Sequence, residues 1–278
     1  MSVRTGKRAV SAGVQIISLA LGALVVFPVI YGVLGAFRAA DEFTAWPPTV
    51  LPRSFANFEN FRYVFSSVPM LRYLLNSLLT ATLGSALRLG IALLAAYAVA
   101  FFSFRGKKLF QIMVLGTMML PGDIVVITNY QTVTALGLNN SLIGIIIVFL
   151  VGGSQMFMLR QSFLSIQSSL REAAELDGCG DIRFIISILI PVSMPVISTL
   201  FLQSFVFLWN TYLWPLMITS SDAMRTVQVG IAMLTTYDGT NFNTVLAGVA
   251  VSLAPILILF LAIRRKIAFA MTAGSVVG

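Results

Sequence analysis

The sequence contains no histidine, a single cysteine (Cys179), and charged residues at only 10% of its 278 positions. Without histidine there is no His-based triad, no HExxH zinc site and little imidazole acid–base chemistry. One cysteine cannot build a disulfide framework. The shortage of charge says most, because soluble domains carry about 25% charged residues. Here 58% of residues are hydrophobic and the mean hydropathy is +0.94. A phosphate-binding loop is missing too. Gly-Lys pairs occur at 6–7 and 106–107, but no G-x-x-x-x-G-K-[ST] surrounds them, so the chain cannot hold ATP in that manner. The net charge of +8 does not point to nucleic acid, since the basic residues are scattered rather than gathered in a stripe.

What the chain has in abundance is long apolar sequence, and a bilayer crossing takes ~20 such residues. The runs predict an all-α polytopic membrane protein, one transmembrane domain over residues 1–278. Six helices are expected near 16–37, 73–103, 109–130, 142–163, 184–217 and 243–264. The polar stretch T128-N-Y-Q-T-V-T-A-L-G-L-N-N-S141 separates the third from the fourth. R4-T-G-K-R8 precedes the first run as in a signal peptide, but an h-region has roughly 7–15 residues. The run here is far longer and is read as an uncleaved span. Six crossings put Arg4, Lys7, Arg8, Arg105, Lys107, Lys108, Arg160, Arg171, Arg183, Arg264, Arg265 and Lys266 on one side. The other side receives Arg38, Arg53, Arg62, Arg72 and Arg225. The positive-inside rule makes the first side cytoplasmic and places both termini there.

Between the fourth and fifth expected spans, Arg171, Glu172, Glu175, Asp177, Asp181 and Arg183 crowd into an otherwise apolar chain. Ser169 and Glu172 fit an S-x-x-E capping box, and Gly178 stands where a helix C′ residue belongs. The spacing predicts a helix over Leu170–Asp177, about 12 Å long at ~1.5 Å per residue. Leu170, Ala173, Ala174 and Asp177 share one face, and Arg171 can pair with Glu175 at i, i+4. Asp181 is placed to cap the helix that follows, which Pro191 and Pro195 perturb. A helix this short is marginal alone. Two readings fit: a solvated connection, or a helix that seeks a partner surface, with its two small alanines exposed for close approach.

The spacing E172-A-A-x3-G178-x9-I188-L-I-P191 resembles the EAA loop (164–191) of ABC-importer permeases, with Ile190 where leucine is usual. Other stretches carry the same resemblance in order. They are L51-P-R-S-F-A-N-F, R72-Y-L-L-N-S-L78, A95-A-Y-A-V-A100, F104-R-G-K-K108, M119-L-P-G122, L159-R-Q-S-F-L164, W209-N-T-Y-L-W-P215 and the closing L261-A-I-R-R-K-I-A-F-A-M-T-A-G-S-V-V-G278. They span nearly the whole chain and are similar to the carbohydrate-uptake group, the MalG/UgpE-like permeases. The resemblance implies that the EAA helix docks on a separate ATPase, with Ser169, Leu170, Glu172, Ala173, Ala174, Asp177 and Gly178 at the coupling joint. It implies a second homologous permease, two ATPase subunits and an extracytoplasmic solute-binding protein. It also implies no cofactor on this chain, with ATP and Mg on the partner ATPase, and no enzymatic activity of its own.

Arg88 falls near the centre of the second span, about 22 Å from either end at ~1.5 Å per residue. A charge at that depth is costly and is usually paired or functional. Asp123 is the acidic residue placed to pair with it, for structure or to contact solute. Asn129, Tyr130, Gln131, Trp209, Asn210 and Tyr212 lie near outer span ends with Trp214, Asn241 and Asn243. Aromatic faces with amides suit sugar handling, and Trp and Tyr there also suit an interfacial belt. Segment 38–72 is too polar to span; it is either a surface element facing a solute-delivering protein or a linker. G178-C-G-D181 and Tyr237-Asp238 match aspartyl-protease motifs, but the topology sets the two carboxylates a membrane thickness apart, ~30 Å. An ion-coupled transporter or channel built on Arg88 and Asp123 is the other class of function. Such proteins place coupling carboxylates in discontinuous mid-membrane helices, where this chain offers only Asp123.

Overall fold

The computed structural model describes the backbone of residues 2–46, 49–166, 168–238 and 242–273. The side chains at 2–13, 43–44, 123, 168, 236–238, 263 and 265–273 lie outside the described residues. Among the described residues all regular structure is helical. In chain order the helices are α1 (Ser2–Gly35), α2 (Ala40–Thr44), α3 (Glu59–Ser67), α4 (Met70–Phe101), α5 (Lys107–Met118), α6 (Val126–Ala135) and α7 (Leu142–Ile147). They continue with α8 (Gly153–Leu164), α9 (Ser168–Leu176), α10 (Asp181–Phe184), α11 (Ile190–Asn210), α12 (Leu213–Ile218), α13 (Val227–Asp238) and α14 (Phe242–Ala273). A 3-10 turn, Gly122–Val125, precedes α6, and a π-turn, Ile185–Leu189, runs α10 into α11.

Among the described residues four stretches are long and apolar enough to cross a membrane unbroken: Val14–Gly35, Met70–Phe101, Asp181–Asn210 and Phe242–Ala262. The expected spans 109–130 and 142–163 are each interrupted. In the first, Pro121 has no N–H to continue the ladder and its ring crowds the preceding turn, so α5 stops at Met118 and a 3-10 turn leads into α6. In the second, α7 ends at Ile147 and α8 restarts at Gly153, with Gly152 extended at φ −123°, ψ 92°. The fifth span ends at Asn210 rather than 217; Thr211 leaves the helix and α12 begins anew at Leu213. The π-turn has a cause in Pro191. Proline cannot donate to the fourth residue back, and widening one turn relieves the clash; Ile190 N–H accordingly reaches Ile185 O.

The chain divides into two compact units, 1–69 with 231–253 and 70–230 with 254–278. In the larger unit α4 is the axis against which α8 and α11 pack. Lipid gives no hydrophobic drive for helices to associate, so close approach by small residues takes its place. The buried stripe of α4 has that composition: Ser77, Ala81, Ser85, Ala92 and Ala96 are each at most 3% exposed. At Gly84 an added Cβ would sit 2.8 Å from Leu208 Cδ1 on α11. The other end of the core is filled by Tyr97, Leu159, Phe163, Phe184 and Leu189. A satellite cluster of Val133, Ile145, Trp214 and Ile218 joins α6, α7 and α12. There Trp214 Nε1 donates to Gly144 O at 3.1 Å, and Asn140 Oδ1 accepts from Ser220 N and Ser221 N.

In the smaller unit the side chains of α1 from Val14 to Ile30 are exposed and, apart from Gln15 and Ser18, apolar, as suits a lipid-facing helix. Leu246 packs onto Gly35, where a Cβ would lie 2.4 Å from its Cδ1. Segment 38–72 is no slack linker where its residues fall in this unit. Asn60 Nδ2 donates to Ala36 O and Arg38 O at 2.9 and 2.7 Å, and Asn243 Nδ2 donates to Ala39 O at 2.9 Å. The buried Glu42 carboxylate accepts from Arg53 N at 2.8 Å and Ala39 N at 3.1 Å. The Arg53 N–H is the main reason its pKa lies below the ordinary 4.5.

Two glycines in the larger unit test this packing. A Cβ on Gly144 would lie 2.2 Å from the Leu138 carbonyl oxygen, whereas Gly90 has nothing within 4 Å. Gly144→Ala is expected to lose about 1–3 kcal/mol of stability, as overpacking against backbone does. Gly90→Ala is expected to be neutral or to gain up to about 1 kcal/mol from helix propensity. Thermal unfolding of both variants in detergent micelles checks the contrast.

Candidate functional site

The charged segment forms α9, Ser168–Leu176, closed by Gly178 in the left-handed region at φ +73°. Cys179 N–H bonds Ala174 O at 2.8 Å and Gly178 N–H bonds Glu175 O at 3.0 Å. This pair is the Schellman closure, and only glycine adopts that φ without a Cβ penalty. The start differs from expectation. Ser169 lies inside the first turn rather than at the cap, and among the described residues neither Ser169 nor Glu172 makes a side-chain hydrogen bond, so the capping box does not form. The face also divides differently. Ala174 is 7% exposed and belongs to the core, while Ala173, Glu172 and Asp177 are exposed and Leu176 is 89% exposed. The outward surface is therefore Ser169, Leu170, Glu172, Ala173, Leu176 and Asp177, with one of the two expected alanines turned inward.

What fixes α9 is Arg171. Its Nε bonds Glu175 Oε1 at 2.7 Å and its Nη2 reaches Asp181 Oδ1 at 3.4 Å. Its guanidinium also lies over the rings of Phe101, Phe102 and Tyr97 at 5.0, 5.4 and 5.7 Å, each such contact worth ~0.5–1 kcal/mol at exposed sites. Tyr97 OH donates to Asp181 Oδ1 at 2.5 Å. Asp181 was expected to cap the next helix; instead Gly180 is the N-cap and Asp181 is the first residue of α10. Its carboxylate turns instead to the Tyr97 phenol and the Arg171 guanidinium, the latter a charge-assisted contact between two ions. One knot of side chains thus ties α9 to the C-terminal end of α4 and to the start of the α10–α11 helix. Sequence reasoning paired Arg171 with Glu175 and missed Tyr97, Phe101, Phe102 and Asp181 as its partners. The only sign was the aromatic run F101-F-S-F104 after A95-A-Y-A-V-A100.

Arg88 stacks over Phe207 at 5.3 Å and lines a cleft of about 420 Å³ with Thr117, Met118, Leu120, Val151, Gly153 and Ser154. The expected partner, Asp123, has its side chain outside the described residues. The other polar candidates lie on α6 and around the end of α11. Asn129, Tyr130 and Gln131 sit on α6, with Tyr130 37% exposed. Trp209 is 1% exposed and stacked on Phe205 at 5.6 Å, so its ring face is packed rather than offered to a path or belt. Asn210 is exposed, bonding Val206 O at 2.9 Å and accepting from Gln228 Nε2 at 3.3 Å. Tyr212 is 41% exposed. Among the described residues no hydrogen bond or ring contact joins the α6 set to Trp209, Asn210 or Tyr212.

An all-helical chain with several membrane-length apolar helices, and one short polar helix latched to them, is a polytopic membrane protein of the transport type. Residues 88–271, more than half of the chain, match the family of binding-protein-dependent transport system inner membrane components, and the chain belongs to that family. The arabinooligosaccharides transport system permease protein AraQ of Halalkalibacterium halodurans is 29% identical over 257 residues, covering 92% of each chain. The sn-glycerol-3-phosphate transport system permease protein UgpE of Escherichia coli is 30% identical over 254 residues, covering 87% of this chain and 89% of the relative. Among solved structures, a bacterial ABC transporter involved in import of the acidic polysaccharide alginate superposes with a TM-score of 0.78. It does so at 20% identity, over 94% of this chain and 97% of that one, and so supports the fold. The protein is a permease subunit of an ABC importer, resident in the membrane and working with a solute-binding protein.

The knot and the glycine closure predict the outcome of two substitutions. Gly178→Val strains the αL closure by roughly 1–2 kcal/mol and frays the end of α9. Arg171→Gln removes the ion pairs and ring contacts and releases α9 from α4 while leaving the transmembrane core folded. Hydrogen exchange of the α9 amides is expected to rise in both, with α4 and α11 unchanged; unchanged protection in Arg171→Gln would contradict the role given to the knot.

Proposed function

We propose that the chain crosses the membrane six times, with α5–α6 and α7–α8 each forming one interrupted crossing and both termini in the cytoplasm. It supplies half of a translocation pathway, the other half coming from a second homologous permease. Two ATPase subunits bind ATP and Mg on the cytoplasmic side, while this chain binds no cofactor. The solute is a carbohydrate or related polyol, free or phosphorylated, in keeping with the names of the relatives. The coupling surface is Ser169, Leu170, Glu172, Ala173 and Asp177, with Leu176 added, shaped by Ala174 beneath it and Gly178 at its end.

The observation that carries this reading is the combination of an exposed face on α9 with a rigid tie beneath it. A push on the outward face passes through Arg171 and Asp181 to α4 and to the α10–α11 helix. ATP-driven closure of the ATPases therefore moves the membrane helices toward an outward-facing state in which the binding protein releases its solute. Hydrolysis resets them. Polar residues on α6, at the end of α11 and just before α12, including Asn129, Tyr130, Gln131, Asn210 and Tyr212, line the pathway when the helices part.

The test is co-purification of the whole gene cluster with wild-type chain or Glu172→Lys. Wild type is expected to bring down an ATPase stimulated by solute-loaded binding protein. Glu172→Lys reverses charge on the docking face, and stimulation should fall at least about tenfold, ~1.4 kcal/mol, or assembly should fail. Normal transport by Glu172→Lys, or an absence of ATPase from the wild-type preparation, refutes the coupling role.

A further inference from the structure

Arg88 lies 18 residues after Met70 and 13 before Phe101 on α4, about 27 and 20 Å along the axis at ~1.5 Å per residue. A charge at such depth in a membrane protein faces a protein interior or a water-filled cavity and is usually functional. Its Nε is buried without a hydrogen-bond partner. The guanidinium stacks on Phe207, and among the described residues no carboxylate forms an ion pair with it. Beside it runs the break between α7 and α8. Irregular backbone at membrane depth persists only where protein covers it or where it lines a cavity, and Val151, Gly153 and Ser154 line the Arg88 cleft.

The break is fitted to the arginine. A Cβ on Gly152 would lie 2.6 Å from Arg88 Nε and 2.3 Å from Gln155 Oε1, so glycine makes room for the guanidinium. Gly152 is also the N-cap of α8 and has no side chain to satisfy the first-turn N–H groups. Such an end favours negative charge, and here it stands next to a cation. Gln155, 4% exposed, is already engaged, accepting from Ser154 Oγ at 3.0 Å and donating to Ser204 Oγ at 3.3 Å. Thr117 Oγ1 donates to Val114 O at 2.7 Å. Among the described residues that line the cleft none is acidic. The lining sets the Arg88 guanidinium beside the Thr117 and Ser154 hydroxyls, and a guanidinium bonds a carboxylate or phosphate more strongly than a neutral hydroxyl. The volume, about 420 Å³, falls in the ligand-pocket range.

We infer that the Arg88 cleft is an anion-accepting station on the solute pathway, taking the carboxylate or phosphate of an acidic sugar or polyol one unit at a time. This rests on the importer reading and narrows its substrate class. The assembled transporter in phosphatidylcholine nanodiscs tests it by calorimetric titration with galacturonate and glycerol 3-phosphate against galactose and glycerol. Wild type should bind at least one acid at least about tenfold more tightly than its neutral counterpart, ~1.4 kcal/mol; which acid it is separates carboxylate from phosphate. Arg88→Gln should lose that preference and Arg88→Lys should keep most of it. Ser154→Asp, which leaves Arg88 in place but puts a fixed carboxylate in the cleft, should lose the preference too. Equal binding of acids and neutral solutes by wild type, or an acid preference that survives in Arg88→Gln or Ser154→Asp, overturns the inference. ATPase stimulation by the binding protein, measured on the same nanodiscs, reports separately on the importer reading.

Discussion

The Arg171 guanidinium is the contact on which the placement of α9 depends. It holds a helix too short to persist alone, and it does so with partners on three different elements. Glu175 keeps it in register on its own helix, Asp181 connects it to the long helix that follows, and Tyr97, Phe101 and Phe102 seat it on the end of α4. A surface ion pair alone is worth little. The rings add what a simple charge pair lacks, because a planar guanidinium can stack on aromatic faces while its N–H groups bond the carboxylates. With Ala174 in the core below it, α9 becomes part of the bundle instead of a loop lying on it.

The same physics, applied within the bundle, explains why the membrane part is both tight and interruptible. Small residues along α4 bring α8 and α11 close, and the resulting contacts hold segments that are not continuous helices. Pro121 and Gly152 break two expected crossings, Pro191 widens one turn into a π-turn, and satellite contacts such as Trp214 to the Gly144 carbonyl absorb the irregular backbone. A helix that bends or restarts at mid-depth gives a moving bundle places to yield. It also exposes polar backbone, which is tolerable beside Arg88 and Ser154.

Composition and hydropathy made the class legible, and the charged segment with its glycine stop made the short helix α9 legible, because both are local. Gly178 was readable as a helix terminator since a left-handed position leaves a residue-type signature. What sequence could not supply was the direction of side chains set by tertiary contact. Ala173 and Ala174 look alike in sequence, yet one faces out and one is core. Asp181 has the right type and place for a cap, yet a phenol and a guanidinium from elsewhere claim it. Trp209 and Trp214 read as interfacial aromatics and are instead buried. Continuous apolar runs hid the interruptions at 119–122 and 148–152, since hydropathy reports lipid compatibility and not helical continuity.

The most direct test of the account is whether α9 and the end of α4 travel as one body. Spin labels at Leu176 and Phe104, introduced as cysteines in a Cys179→Ser background of the assembled importer, measure the distance between them through the ATP cycle. The account predicts one narrow distribution that is the same with and without nucleotide. A distance that shifts or broadens on ATP binding would mean that α9 pivots freely on the bundle and that Arg171 is not the joint.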